Sequence, residues 1–178
     1  DSAQATRAGV EDLDAVRRAL GVERCWLLGN SVGGAIAIEY AAAFPDHVQG
    51  LLLYAASARG TWAPDYPWAL TDEQLAKWLQ ELQSSWGRAT SLAQFAPSMA
   101  EDEATRDWWA RMLRQSATKN SIPSVLRALS ATDVRALLPQ LQLPTLVLQR
   151  RGDRIVREGV ARYLASHIPG AQLVLLDG

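Results

Sequence analysis

Ser31 stands at the centre of Gly29-Asn30-Ser31-Val32-Gly33, between an apolar run (Cys25-Trp26-Leu27-Leu28) and a run of small residues with helical character (Gly34-Ala35-Ile36-Ala37-Ile38). Gly-x-Ser-x-Gly between a strand and a helix is the layout of a nucleophile elbow, a sharp turn that lifts a serine hydroxyl above a sheet edge. Glycines suit such a turn because strand and helix must pass closely around a strained residue. At the start of a helix, backbone N–H groups and the helix dipole favour a developing negative charge, so acyl transfer is the chemistry this placement supports. The plainer alternative is a tight turn in an ordinary parallel sheet.

A serine nucleophile needs a base, and the base needs an acid to hold its orientation. Asp153 follows Gly152 in a polar turn just past the apolar run Thr145-Leu146-Val147-Leu148-Gln149. That is the C-terminal strand edge, where sites of open α/β sheets lie, and it makes Asp153 the candidate acid. Gly-Asp is also ordinary turn chemistry, so a turn aspartate is the alternative. Of the two histidines, His47 enters a strand after Pro45-Asp46 and His167 ends a helix before Pro169. Both are expected far from Ser31, as surface or helix-end residues.

The elements that must position these groups follow from periodicity. Val10, Leu13, Val16 and Leu20 recur at helical spacing up to Gly21, predicting a helix over residues 3–20 before a strand at 25–28. A helix over 33–44 ends at Pro45, and the almost wholly apolar residues 48–56 read as a parallel strand covered on both faces. Residues 61–138 differ, holding Trp62, Trp68, Trp78, Trp86, Trp108 and Trp109. Thr71-Asp72-Glu73-Gln74 is a capping box ahead of Leu75, Trp78, Leu79 and Leu82. A second helix is expected over 101–118, and a third begins at Ser121 and Pro123. Strand character returns at 145–149 and 171–176, separated by a helix carrying Val156, Val160, Tyr163 and Leu164. The expected architecture is α/β: a mostly parallel sheet with four strands flanked by helices. It divides into a first core part at 1–60, a helical insertion at 61–138 and a second core part at 139–178.

The chain has 178 residues and a formal net charge of −1, which gives no electrostatic case for binding nucleic acid or an anionic membrane. No apolar run approaches the ~18 residues needed to span a bilayer. Cys25 is the one cysteine. It excludes an internal disulfide and a cysteine-based metal site, and suits a reducing, cytoplasmic compartment. The cluster Arg150, Arg151, Arg154 and Arg157 beside Asp153 reads as a solvated loop and helix start, with an anionic partner as the alternative.

Three stretches resemble the α/β-hydrolase superfamily: the run from Gly29 to Gly34, the segment from Pro144 through Gly152-Asp153, and the segment from Arg162-Tyr163 through Pro169-Gly170-Ala171. They are similar to its esterase/lipase-like branch, in particular to hydrolase domains found beside nucleotidyl cyclase domains. The Trp-rich insertion, ending in Asp133-Val134-Arg135, resembles that branch's cap. The resemblance implies an α/β-hydrolase-type fold and a serine esterase mechanism. Ser31 would attack the acyl carbon, the Val32 N–H would donate to the oxyanion, and Asp153 would orient a histidine. In the family that histidine lies in a loop after the last strand. Val174 to Gly178 resembles the approach to that loop, so the chain resembles a C-terminal half, inactive alone.

Asn30 beside the nucleophile, with Trp62 and Trp108 from the insertion, are the candidate substrate contacts; most of the tryptophans are expected to pack the insertion instead. A small apolar ester is the implied substrate, with no metal or organic cofactor and a possible covalently attached signalling domain. Two alternatives stay open: a ligand-sensing domain without turnover, and C–C bond or lactone hydrolysis on the same fold.

Overall fold

The computed structural model describes residues 2–177, with side chains from residue 6 onward. Asp1 and Gly178, the outermost residues of the two expected core parts, lie outside the described residues. The elements are α1 (Ser2–Ala19), β1 (Cys25–Asn30), α2 (Gly33–Ala43), β2 (Val48–Tyr54), α3 (Asp72–Ser85), α4 (Leu92–Phe95), α5 (Glu103–Ser116), α6 (Ile122–Ser130), β3 (Thr145–Arg150), α7 (Glu158–His167) and β4 (Gln172–Leu176). By contacts the chain forms two units, one of Asp1–Ala69 with Leu129–Gly178 and one of Leu70–Ala128.

The first unit holds a four-stranded sheet in the order β1-β2-β3-β4, parallel throughout. Parallel register carries Leu27, Leu51 and Thr145 to one face, joined by Gly29, Leu53, Val147 and Leu173. This face meets α2 and α7, and Leu51, Leu53 and Val147 are buried there. Helix α2 is apolar apart from Glu39 and the Tyr40 hydroxyl, which suits its position between sheet and α1. The other face corrects the expectation of a sheet covered on both sides. Trp26 (51% exposed), Leu28 (67%) and Val174 (41%) lie on it, with Leu52, Tyr54, Leu146 and Leu148 only half-buried. Among the described residues, helices cover one face alone.

Two polar devices hold the unit. On α1, the Asp14 carboxylate accepts from the buried Tyr40 hydroxyl of α2 at 3.0 Å and from Arg17 Nη2 at 3.0 Å. Arg17 Nε also donates to the Tyr40 hydroxyl at 2.9 Å, tying the two helices together. Where the chain leaves and re-enters the first unit, Val134 N–H donates to Ala58 O at 2.8 Å and Gly60 N–H to Thr132 O at 3.0 Å. Arg59 pairs with Asp133 there, and Arg135 pairs with both Asp133 and Asp65. The Arg135 hydrogen bond holds the Asp65 carboxyl below the usual range. Burial raises the Asp133 carboxyl, but its bonds from Arg135 and Arg59 outweigh that and leave it lowered.

The second unit is helical. Its capping box forms in both directions: Gln74 N–H donates to Thr71 Oγ1 at 3.2 Å, and Thr71 N–H to Gln74 Oε1 at 3.0 Å. Asp102 caps α5 by accepting from Thr105 N–H at 2.8 Å. Two tryptophans are anchored by their indole N–H groups, Trp86 to Ala117 O at 2.9 Å and Trp109 to Thr90 O at 2.8 Å. The four-residue helix α4 and the turn Pro97–Met99 lie between the expected helices.

Candidate active site

β1 delivers Ser31 to the C-terminal edge of the sheet. Ser31 has φ 52°, a left-handed conformation that costs a residue with a side chain about 1–2 kcal/mol. The surroundings hold it there. Ser31 N–H donates to Tyr54 O of β2 at 3.2 Å, and Gly34 N–H donates to Ser31 O at 3.0 Å. Val32 follows in helical conformation and α2 begins at Gly33. Among the described residues none accepts a hydrogen bond from the Val32 N–H, which leads the helix beside the serine.

The glycines divide differently from the motif. A Cβ on Gly29 would lie 2.7 Å from Gly34 Cα, so strand and helix do touch at that point. A Cβ on Gly34 would overlap the Ala56 side chain, whereas one on Gly33 would meet nothing within 4 Å. Gly34, outside the five-residue motif, does the packing expected of Gly33.

β3 delivers Asp153 to the same edge. Gly152 at φ 75° turns the chain after the strand, and Asp153 folds back over the turn. Its Oδ1 accepts from Ile155 N–H at 2.8 Å and Val156 N–H at 2.9 Å, and its Oδ2 accepts from Gln149 Nε2 at 3.2 Å. Val156 therefore belongs to this loop rather than to α7, which starts at Glu158. Gln149 is fully buried on β3, and sequence reasoning missed it as a site residue. The signal was present: its position on the inward-facing side, after Thr145 and Val147, is where an apolar residue is expected.

Neither histidine reaches this edge. His47 precedes Val48, whose partner is Cys25, the first residue of β1; Ser31 lies at the other end of that strand, roughly 20 Å away. His167 closes α7, about 15 Å of helix from the edge that α7 leaves. Its ring stacks on Tyr163 with centroids 3.8 Å apart, and its Nδ1 lies 2.8 Å from Tyr163 O.

The candidate substrate contacts fall on three different elements. Asn30 ends β1 on the face shared with Trp26 and Leu28 and is exposed. Trp62 lies on the loop after β2, 43% exposed, and Trp108 on α5 of the second unit, 56% exposed. Arg151 of the arginine cluster pairs with Asp177 and Glu158. Among the described residues no group of three His, Cys, Asp or Glu side chains stands together to hold a metal, and no helix is long and apolar enough to cross a membrane.

Comparison with known proteins agrees with this geometry. The model of the alpha/beta hydrolase fold family matches residues 5–178. A pimeloyl-(acyl-carrier protein) methyl ester esterase of Nitrosomonas europaea is 32% identical over 151 residues, covering 83% of this chain and 60% of that protein. The AB hydrolase superfamily protein YisY of Bacillus subtilis is 30% identical over 169 residues, covering 92% of this chain and 62% of that protein. In structure, an esterase from Exiguobacterium antarcticum superposes with a TM-score of 0.79 at 24% identity, over 93% of this chain and 63% of that one. The chain thus spans about three fifths of the length of the relatives it matches. With a parallel sheet, a left-handed serine between strand and helix and a family model matched across nearly every residue, the chain belongs to the alpha/beta hydrolase fold family.

Proposed function

We propose that the chain carries the nucleophile and the acid of a serine esterase acting on carboxylic esters with small or medium apolar groups. The observation that supports this most is Ser31 at φ 52°, on the strand edge that also bears Asp153. A positive φ on a side-chain-bearing residue is kept where the surrounding structure imposes it, and such strain collects at functional sites. In this reading Ser31 Oγ attacks the acyl carbon and expels the alcohol, and water then hydrolyses the acyl-enzyme. The Val32 N–H donates to the tetrahedral oxyanion. A histidine takes the serine proton and returns it to the leaving alcohol, while Asp153 fixes that histidine's tautomer.

Because His47 and His167 stand away from this edge, the base is contributed by sequence outside these 178 residues, and the chain alone is inactive. The methyl ester relative supports an ester substrate. The single half-buried cysteine is in keeping with a cytoplasmic site of action. Hydrolysis of p-nitrophenyl butyrate tests the reading. The full-length polypeptide is expected to turn it over and lose turnover in Ser31→Ala, while the 178-residue chain shows no Ser31-dependent rate. Such a rate from the chain alone would mean that one of its own histidines reaches the serine.

The remote histidines also favour a second reading, a ligand-sensing domain of a signalling protein that binds without turnover. Ester binding without turnover by the full-length polypeptide, unchanged in Ser31→Ala, would select it.

A further inference from the structure

Gln149 is the one residue of β3 whose polar side chain is sunk completely into the protein, at 0% exposure. Its Nε2 has three acceptors within reach: Val156 O at 2.8 Å, Asp153 Oδ2 at 3.2 Å and Arg150 O at 3.3 Å. All three only accept, so the amide is oriented by its surroundings with nitrogen toward the loop. Two N–H protons cover the two shorter contacts. Its Oε1 is the buried side-chain oxygen or nitrogen without a partner among the described residues. A buried unpaired carbonyl carries its full desolvation cost, and a leucine or methionine here would avoid it. What the glutamine provides and an apolar residue would not is a pair of bonds into the loop, to Val156 O and to the Asp153 carboxylate.

The Asp153 carboxylate is consequently held on both oxygens. Oδ1 takes the Ile155 and Val156 N–H groups, and Oδ2 takes the Gln149 amide. The backbone pair alone leaves the carboxylate free to swing about Oδ1. The third bond, from a side chain locked in the core, fixes the plane in which Oδ2 lies. Oδ2 keeps a further lone pair for the partner that a catalytic acid orients. We infer that Gln149 is a positioning residue that fixes the orientation of the Asp153 carboxylate for catalysis. The inference rests on the serine esterase reading, in which Asp153 is the acid.

Gln149→Met in the full-length polypeptide keeps the volume and removes the amide donor. With p-nitrophenyl butyrate, kcat is expected to fall on the order of 10- to 100-fold with KM within twofold, because orientation acts on the chemical step and not on ester binding. A purely structural role would lower the thermal midpoint and the active fraction while leaving kcat per Ser31 titrated by fluorophosphonate unchanged, and that result overturns the inference. Should Gln149→Met not fold, Gln149→Leu carries the same test, since it also removes the amide donor and adds no charge beside Asp153. If the unaltered polypeptide shows no Ser31-dependent turnover, the esterase reading fails and the inference with it. Turnover that persists unchanged in the variants overturns the inference alone.

Discussion

Alanine at Gly34 is expected to destabilise the protein, and alanine at the adjacent Gly33 is not. The new Cβ at position 34 would overlap the Ala56 side chain and lie 3.3 Å from Ala56 Cα. Gly34 is buried and Ala56 is 2% exposed, so neither has solvent to yield into. Relief requires α2 or the segment after β2 to move, which costs about 1–3 kcal/mol. Alanine's better helix propensity returns about 0.5–1 kcal/mol, leaving a net loss of about 0.5–2 kcal/mol. At Gly33 the Cβ meets nothing within 4 Å. Only the propensity gain remains, reduced because the position is in the first turn. The two variants should therefore differ by about 1–3 kcal/mol, or roughly 3–10 °C in Tm for a chain of this length. Urea unfolding with equal m-values measures the difference cleanly. Gly34→Ala as stable as the parent, or Gly33→Ala as costly as Gly34→Ala, would refute the packing argument at the serine turn.

Three further outcomes follow from the same contacts. Tyr40→Phe removes the hydroxyl that links Asp14 and Arg17, and should cost about 1.5–3 kcal/mol in urea unfolding. Asp133 is ionised more readily in the folded chain, so its contribution is present above the ordinary carboxylate range and disappears as pH falls through the lowered value. Asp133→Asn should cost about 1 kcal/mol at pH 7, given its partial exposure, and the gap from the parent should shrink as pH falls through the lowered value; a gap constant with pH contradicts the ion-pair account. β1 is an edge strand with Trp26 and Leu28 exposed, an arrangement that favours association, and Leu28→Lys should lower the apparent mass in light scattering at no more than about 0.5 kcal/mol of stability. A parent chain already monodisperse as a monomer would count against that expectation.

Much of the fold was legible because its signals are local. The capping box at Thr71 and Gln74, the stop at Pro45 and the apolar strand at Val48 are each decided within a few residues. Ser31 was legible for the same reason, since the turn that strains it is written in its immediate neighbours. What depends on distant residues was not. Gly33 and Gly34 look alike in sequence, and only the approach of Ala56 tells them apart. Residues 48–56 are apolar whether a sheet is covered on one face or two, so composition could not reveal the half-exposed side of β2. Val156 fitted a helical pattern, but the Asp153 carboxylate draws its N–H into the loop. Gln149 breaks the apolar alternation of β3, and the partner that explains it, the Asp153 carboxylate folded back over the turn, is not visible in the strand's own sequence.

In the serine esterase reading the Ser31 hydroxyl is an activated nucleophile. Intact-mass and peptide mass spectrometry of the natural polypeptide after brief treatment with a fluorophosphonate measures this directly. One adduct is expected, on Ser31, absent in Ser31→Ala and formed much more slowly in Asp153→Asn. An unmodified Ser31, or equal labelling rates with and without the Asp153 carboxylate, would contradict it.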